Sequence, residues 1–244
     1  GRSAGVLEHA ENHAQPVRHH GGANRKAQRG LDPAPLSRMF GLDRGQAIDR
    51  YYISSFIDAN RARISGVALE IAEPRYAALY RHQLKKIEIL HVSEDAKGAT
   101  IIGDLSKPAT LPHEIADCFI CTQTFQFIYD VSAAITGAAQ LLKPGGTLLA
   151  TFSGISQISR YDMDRWGDYW RFTTASVSRL LEVEFAGGSM DITSYGNVAA
   201  ASAFLNGYSV QDIERKETLE FHDPDYPVII AVRATKPAAS PQPR

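Results

Sequence analysis

Residues 65–80 read SGVALEIAEPRYAALY, an apolar run that leads without a break into helix-forming residues. The sequence predicts a buried strand over Gly66–Ile71 and a helix over 74–84, with Pro74 in its first turn. A strand followed at once by a helix is the repeating unit of parallel α/β sheets. Nucleotide-binding proteins of this kind usually place glycines at the junction, yet none follows Gly66 here.

The same alternation continues on both sides of this stretch. Nearly all-apolar runs predict further strands, and helical spacing of apolar residues predicts helices between them. The pattern predicts a three-layer, doubly wound, mostly parallel sheet of about seven strands, with helices on both faces and an antiparallel last strand. The predicted strands are 87–92, 99–102, 117–121, 147–152, 190–194 and 228–233, and the predicted helices are 44–60, 131–142, 174–181 and 198–205.

Composition limits the classes of partner. The chain has 244 residues, of which 44% are hydrophobic, and a net charge of −1, so nothing favours nucleic acid as its main partner. No apolar run approaches the ~18 residues that cross a bilayer, so no membrane segment is expected.

We expect one domain over 36–235 in a monomer or homodimer, a flexible arm over 1–35 and a disordered tail over 236–244. The histidines of the arm could bind a metal ion, but a solvated arm is favoured and no metal site is predicted.

Two cysteines, Cys118 and Cys121, form a C-x-x-C inside a predicted strand. Residues i and i+3 of a strand point to opposite faces, so the pair cannot share a metal or a disulfide without a break in the strand. The sequence therefore predicts two buried, inert thiols, which suits a reducing cytoplasm.

Five local patterns occur in a fixed order: GVALEIAEPRY, ILHVSED, GATIIGDLS, DCFICTQTFQFIYD and QLLKPGGTLLATF. In this order they resemble the class I, Rossmann-like S-adenosylmethionine-dependent methyltransferases of the small-molecule branch, over residues 45–233. The piece LLKPGGTLLAT is the most specific single match. The resemblance implies S-adenosylmethionine as the cofactor, held at the carboxyl ends of the first four strands.

The resemblance also implies roles for particular residues at those strand ends. Glu94 would hold the ribose hydroxyls, with Asp95 as the alternative, and Asp104 would lie near the adenine amino group or serve only as a turn aspartate. Glu70 would orient the loop after the first strand, and Gly103 would let the chain bend. The implied cofactor-binding residues are Glu70, Ala72, Tyr76, Glu94, Gly103, Asp104, Leu105, Thr122 and Gln123.

The first motif departs from the family, since Ala72 stands at its first glycine and Pro74 at its second. Proline has no N–H, so the loop loses one donor. S-adenosylmethionine carries no phosphate and needs these amides less than a dinucleotide does. The departure therefore favours a methyltransferase over a dehydrogenase.

Residues 159–173, SRYDMDRWGDYWRFT, are the candidate acceptor site, because they follow the fifth strand and combine aromatic rings with acids. The alternative is a structural lid whose aromatics pack on the sheet edge. A base is needed only if the acceptor must lose a proton, and Asp162 or Asp164 is favoured over His91 for that role. The candidate substrate-binding residues are Tyr161, Arg165, Trp166, Tyr169, Trp170 and Arg171.

The sequence thus predicts an S-adenosylmethionine-dependent enzyme that methylates a small hydroxylated acceptor, such as a sugar, glycan precursor or secondary metabolite, on oxygen. One alternative is a non-catalytic methyltransferase-like interaction domain with a degenerate cofactor loop. A weaker alternative is a nicotinamide-dependent oxidoreductase.

Overall fold

The computed structural model describes residues 32–239. The chain divides into two units, residues 1–33 and 34–244, and everything below concerns the second. The predicted arm, with its histidines, therefore lies outside the described residues up to 31, and so does the end of the predicted tail from 240 onward. At the start of that tail, the main chains of Lys236 and Pro237 hydrogen bond to Gly146 and Gly145.

Seven strands form one sheet in the order β3-β2-β1-β4-β5-β7-β6. Strands β1 to β5 pair in parallel, while β7 is antiparallel to both β5 and β6, which confirms the predicted fold class and the antiparallel last strand. The strands are β1 Gly66–Ile71, β2 Leu84–His91, β3 Ile101–Ile102, β4 Ala116–Thr122, β5 Leu142–Ser153, β6 Ser189–Tyr195 and β7 Ile229–Thr235. The α-helices are α1 Ile48–Ala59, α2 Val131–Leu141, α3 Arg160–Met163, α4 Thr174–Leu181 and α5 Val198–Leu205.

The sheet separates two hydrophobic cores. Residues of α2 and α4 pack in one core, and residues of α1 and α5 pack in the other. Cys121 lies in the first core and Cys118 in the second, and both are free thiols, which confirms the alternation predicted for this strand. Burial raises the pKa of each thiol to about 12, so neither is a thiolate at neutral pH.

The helix predicted over 74–84 is wrong in type and extent. The segment forms a 3₁₀-helix, Ala77–Gln83, with non-helical torsion angles at Tyr80, and β2 already begins at Leu84. Because β1 and β2 are parallel, residues 72–83 must carry the chain back along the length of the sheet. A 3₁₀-helix advances ~2.0 Å per residue against ~1.5 Å for an α-helix, so it covers this distance with fewer residues.

Residues 143–146, KPGG, stand between the predicted helix 131–142 and the predicted strand 147–152, and they lie inside β5. Ala116 pairs with Leu142 and Cys118 pairs with Thr147, so residues 143–146 bulge out opposite Asp117 alone. The Lys143 ammonium returns across the bulge to the Asp117 carboxylate, at 2.8 Å. No helix in the described part of the chain is long and apolar enough to cross a membrane.

Candidate active site

The turn after β1 is organised by a buried acid. Glu70 is only 3% exposed, and its carboxylate accepts hydrogen bonds from the main-chain N–H groups of Tyr76, at 3.0 and 3.1 Å, and Ala77, at 2.8 Å. Burial raises the pKa of Glu70 to about 7, and the three bonds oppose this rise. The acid therefore holds residues 71–77 as a tight turn at the carboxyl end of β1.

Ala72 adopts the backbone conformation for which glycine is the usual choice. Its φ is +64°, and its N–H donates to Leu90 O of β2 at 3.0 Å. An L-residue in this left-handed region costs ~1–2 kcal/mol, which the surrounding hydrogen bonds must offset. The turn of the family's first motif is thus kept without its first glycine.

Side chains at the ends of β2 and β3 face the same edge of the sheet. Glu94 is exposed in the turn after β2, where His91 Nδ1 accepts from Ser93 N at 2.9 Å. Asp104 follows β3 and accepts from Ser106 N and Oγ at 2.9 and 2.7 Å. Partial burial opposes its ionisation, but the bonds from Ser106 and the Lys107 ammonium outweigh this effect and lower the pKa of Asp104.

Gly103 is required by packing rather than by an unusual turn. Its φ is not among the positive values of the described residues, so this position does not need the left-handed conformation that glycine permits. A Cβ built at this position would lie 2.6 Å from Leu111 Cδ2 and 3.1 Å from Thr110 O. The next residues, Asp104 and Leu105, are held against the same segment, and Leu105 is buried in the core.

A pocket with a cavity volume of about 80 Å³ opens beside this edge, at the carboxyl ends of β4 and β5. It is closed on one side by the start of α1 and on the other by residues 156–171. Its polar and charged lining is Asp49, Arg50, Gln123, Gln126, Ser153, Ser156, Gln157, Ser159, Asp162, Asp168 and Arg171, and its apolar lining is Phe40, Leu42, Phe127, Phe204, Val228 and Ile229.

The three candidate bases are separated by the fold. Asp162 lines the pocket, where its carboxylate accepts from Ser159 Oγ at 2.5 Å. Asp164 lies on the exposed side of α3, 3.5 Å from Arg160, and His91 lies outside the pocket lining. Of the three predicted side chains, only Asp162 lines the pocket.

The aromatic side chains of 159–173 turn away from the pocket and pack over the other strand ends. Trp166 lies edge-on to His91, with ring centroids 6.4 Å apart. Trp170 stacks on Tyr129 at 6.0 Å, and Tyr169 meets Tyr129 edge-on at 5.4 Å. This arrangement favours the alternative of a lid that packs on the sheet edge.

Tyr161 and Arg165 also pair with each other rather than with the pocket. The Arg165 guanidinium lies 3.6 Å from the centre of the Tyr161 ring and donates to Tyr161 O at 2.7 Å. Of the six predicted substrate-binding residues, Arg171 alone lines the pocket.

An ion pair between Arg171 and Asp168 holds segment 156–171 in place. Nη1 and Nη2 of Arg171 donate to the Asp168 carboxylate at 2.6 and 2.9 Å. Nη2 also donates to Gln157 O, and Nε donates to Ser156 O. The Asp168 side chain is 1% exposed and also accepts from Ser159 N at 2.9 Å. The two residues thus join both ends of the pocket wall.

Sequence reasoning missed Asp49, Arg50 and Gln126. Burial raises the pKa of Asp49, whose carboxylate lies 3.8 Å from Arg50 Nε. The Arg50 guanidinium also meets the Tyr76 hydroxyl, which links the pocket to the turn after β1. An Asp in the first turn of α1 is explained by the helix dipole, so the sequence carried no separate signal for these two residues. Gln126 lies in the pattern DCFICTQTFQFIYD, in which the resemblance implies a cofactor-binding role only for Thr122 and Gln123.

Residues 65–150 match the family model described as "Methyltransferase domain". Among solved structures, a SAM-dependent methyltransferase from Archaeoglobus fulgidus is similar at 11% identity and a TM-score of 0.50, covering 77% of this chain and 94% of that chain. A SAM-dependent methyltransferase from Thermotoga maritima is similar at 15% identity and a TM-score of 0.50, covering 78% and 91%. No curated protein sequence matches the chain.

The [4+2]-cyclase SpnF is similar to the same degree, at 14% identity and a TM-score of 0.50, covering 80% of this chain and 84% of that chain. At these identities the likeness concerns the fold. Because one of these folds is named for a cyclisation, the fold alone does not fix the reaction.

Proposed function

Because the chain carries a methyltransferase domain of the class I, Rossmann-like kind, we propose that it is an S-adenosylmethionine-dependent enzyme that transfers a methyl group to a small hydroxylated acceptor. The observation that carries the proposal is the turn after β1. Glu70 and the left-handed Ala72 keep the tight turn of a cofactor edge, and the pocket opens beside it. Doubly wound sheets bind their ligands at this edge.

The residues of the edge fit a cofactor without phosphates. Glu94 and Asp104 supply carboxylate oxygens that would accept from ribose hydroxyls and an amino group. Pro74 lacks an N–H, and Arg75 is paired with Glu73 at 2.7 Å, so the turn offers little to a pyrophosphate. This chemistry supports S-adenosylmethionine over the nicotinamide alternative. Ala72, Tyr76, Gly103, Leu105, Thr122 and Gln123 complete the proposed edge.

When bound, S-adenosylmethionine supplies a methyl group that its positive sulfur already activates. The work left to the chain is to align the acceptor and exclude water. Segment 156–171, which the Arg171–Asp168 ion pair holds in place, forms a wall of the pocket and is placed for both tasks. For transfer to a hydroxyl, Asp162 is the proposed base, and the buried Asp49 is a second carboxylate in the same pocket.

Calorimetric titration with S-adenosylhomocysteine tests cofactor binding. Glu94→Gln should weaken binding about tenfold or more, since a charged hydrogen bond to a hydroxyl is worth ~1.5–3 kcal/mol. The matched control is Glu182→Gln, which changes an exposed glutamate at the end of α4 and should leave binding unchanged. No heat of binding at millimolar ligand would contradict the proposal.

Methyl transfer is tested with a panel of hydroxylated acceptors, by measuring the S-adenosylhomocysteine released. Asp162→Asn should lower kcat while leaving S-adenosylhomocysteine affinity unchanged, because the residue lies in the pocket and not at the cofactor turn. A chain that binds the product but releases none from any acceptor would favour the interaction-domain alternative.

A further inference from the structure

Three polar side chains form a hydrogen-bonded relay, and two of them, Gln123 and Gln126, line the pocket. Thr151 Oγ1 accepts from the main-chain N–H of Gln123 at 3.2 Å and from its Nε2 at 3.4 Å. Gln123 Oε1 in turn accepts from Gln126 Nε2 at 2.9 Å. Gln123 has a φ of +50°, a strained conformation that is often found at binding sites.

The relay ends on an unpaired oxygen. Gln126 is 3% exposed and lines the pocket, and its Oε1 has no hydrogen-bond partner among the described residues. Gln126 Nε2 already donates to Gln123, so turning over the Gln126 amide alone would break the relay. A buried acceptor without a donor destabilises a protein, and such groups are rare outside functional sites.

The charged groups of the pocket already have polar partners. Asp168 is held by Arg171, Asp162 accepts from Ser159, and Arg50 lies between Asp49 and the Tyr76 hydroxyl. The remaining demand is for one neutral donor at Gln126 Oε1. Apolar side chains, including Phe40, Phe127 and Phe204, line the rest of the space.

We propose that Gln126 Oε1 determines the specificity of the acceptor pocket by accepting a hydrogen bond from a neutral hydroxyl or N–H group on an acceptor with an apolar body. The inference rests on the proposed function, since it takes this pocket as the acceptor site. A molecule that lacks this donor, or whose donor is already methylated, leaves Gln126 Oε1 unpaired. The pocket therefore rejects such a molecule.

Phenol and anisole are the probes, because they differ only in the hydroxyl hydrogen that methylation replaces. Binding of each to the full chain is measured by saturation-transfer NMR titration. Phenol should bind about tenfold more tightly than anisole, and Gln126→Leu should abolish this preference while leaving anisole binding unchanged. The matched control Gln157→Leu removes another pocket glutamine, whose Nε2 donates to Arg38 O, and should keep the preference.

Equal binding of the two probes, no binding of either at millimolar concentration, or an unchanged preference in Gln126→Leu would each overturn the inference. If Gln126→Leu does not fold, Gln126→Asn serves instead, since it withdraws the oxygen by one methylene and should also lose the preference. Titration of the same samples with S-adenosylhomocysteine separates the two proposals. Product binding without a preference for phenol overturns this inference alone, and a preference for phenol without product binding overturns the proposed function alone.

Discussion

Both carboxylate oxygens of Glu70 accept a hydrogen bond from the main-chain N–H of Tyr76, at 3.0 and 3.1 Å, across the turn that ends β1. The acid is buried beneath a turn whose Ala72 is left-handed, and the Tyr76 hydroxyl faces Arg50 of the pocket. One carboxylate thus supports the turn after β1 and, through Tyr76, the edge of the pocket.

The first prediction concerns the pH dependence of stability. The folded pKa of Glu70 is about 7, above its ordinary 4.5, because burial disfavours the charged form. Its contribution to the free energy of unfolding is therefore fully present below pH 4.5 and is lost as the pH rises through 7, by at most ~3 kcal/mol. Urea unfolding at pH 5 and pH 8 should show Glu70→Gln gaining stability relative to the native chain as the pH rises. A difference between the two proteins that stays constant with pH would contradict the raised pKa.

Ala72→Gly should stabilise the protein by ~0.5–1 kcal/mol, because glycine adopts a φ of +64° without strain. The greater conformational entropy of glycine in the unfolded chain offsets part of this stabilisation. Ala78→Gly is the matched control, since Ala78 is exposed in the 3₁₀-helix and should lose about the same amount. Thermal unfolding of both variants gives the comparison. Two changes of the same sign would mean that Ala72 is not strained.

Asp168→Asn should lower the free energy of unfolding by ~1–3 kcal/mol, because it removes the charge that holds Arg171. This loss is smaller than the one expected for a fully buried ion pair, because the Arg171 side chain is 29% exposed. Asp164→Asn is the control, as its pair with Arg160 is exposed and should be worth less than ~1 kcal/mol. Equal losses in chemical unfolding would show that burial of Asp168 contributes nothing.

Neither cysteine should react with a thiol reagent in the folded protein. Both thiols are 0% exposed, so the reagent cannot reach them. Their pKa values are about 12, so neither is in the reactive thiolate form. Release of the chromophore from an aromatic disulfide reagent should begin only in denaturant, when two thiols per chain react. Prompt reaction of one thiol under native conditions would mean that the strand opens locally.

The sequence by itself determined the sheet and its order of motifs. Apolar runs such as 147–152 and the opposite faces of Cys118 and Cys121 follow from the two-residue period of a strand, which is a local property. The helices Thr174–Leu181 and Val198–Leu205 lie where the sequence predicts them, and Thr173 and Asn197 cap their first turns. The recognition of the fold family, and of S-adenosylmethionine as its cofactor, came from the same local signals.

The tertiary structure decided what those signals could not contain. The 3₁₀-helix Ala77–Gln83 lies in the connection that returns the chain along the sheet between two parallel strands. The left-handed Ala72 is held by the hydrogen bond from its N–H to Leu90 O of β2. The pocket unites Asp49 with Gln126 and Asp162, residues far apart in the chain, and an unpaired oxygen can be recognised only when every neighbour is in place. Local periodicity fixes which face of an element is buried, whereas the chemistry of a site depends on which faces meet.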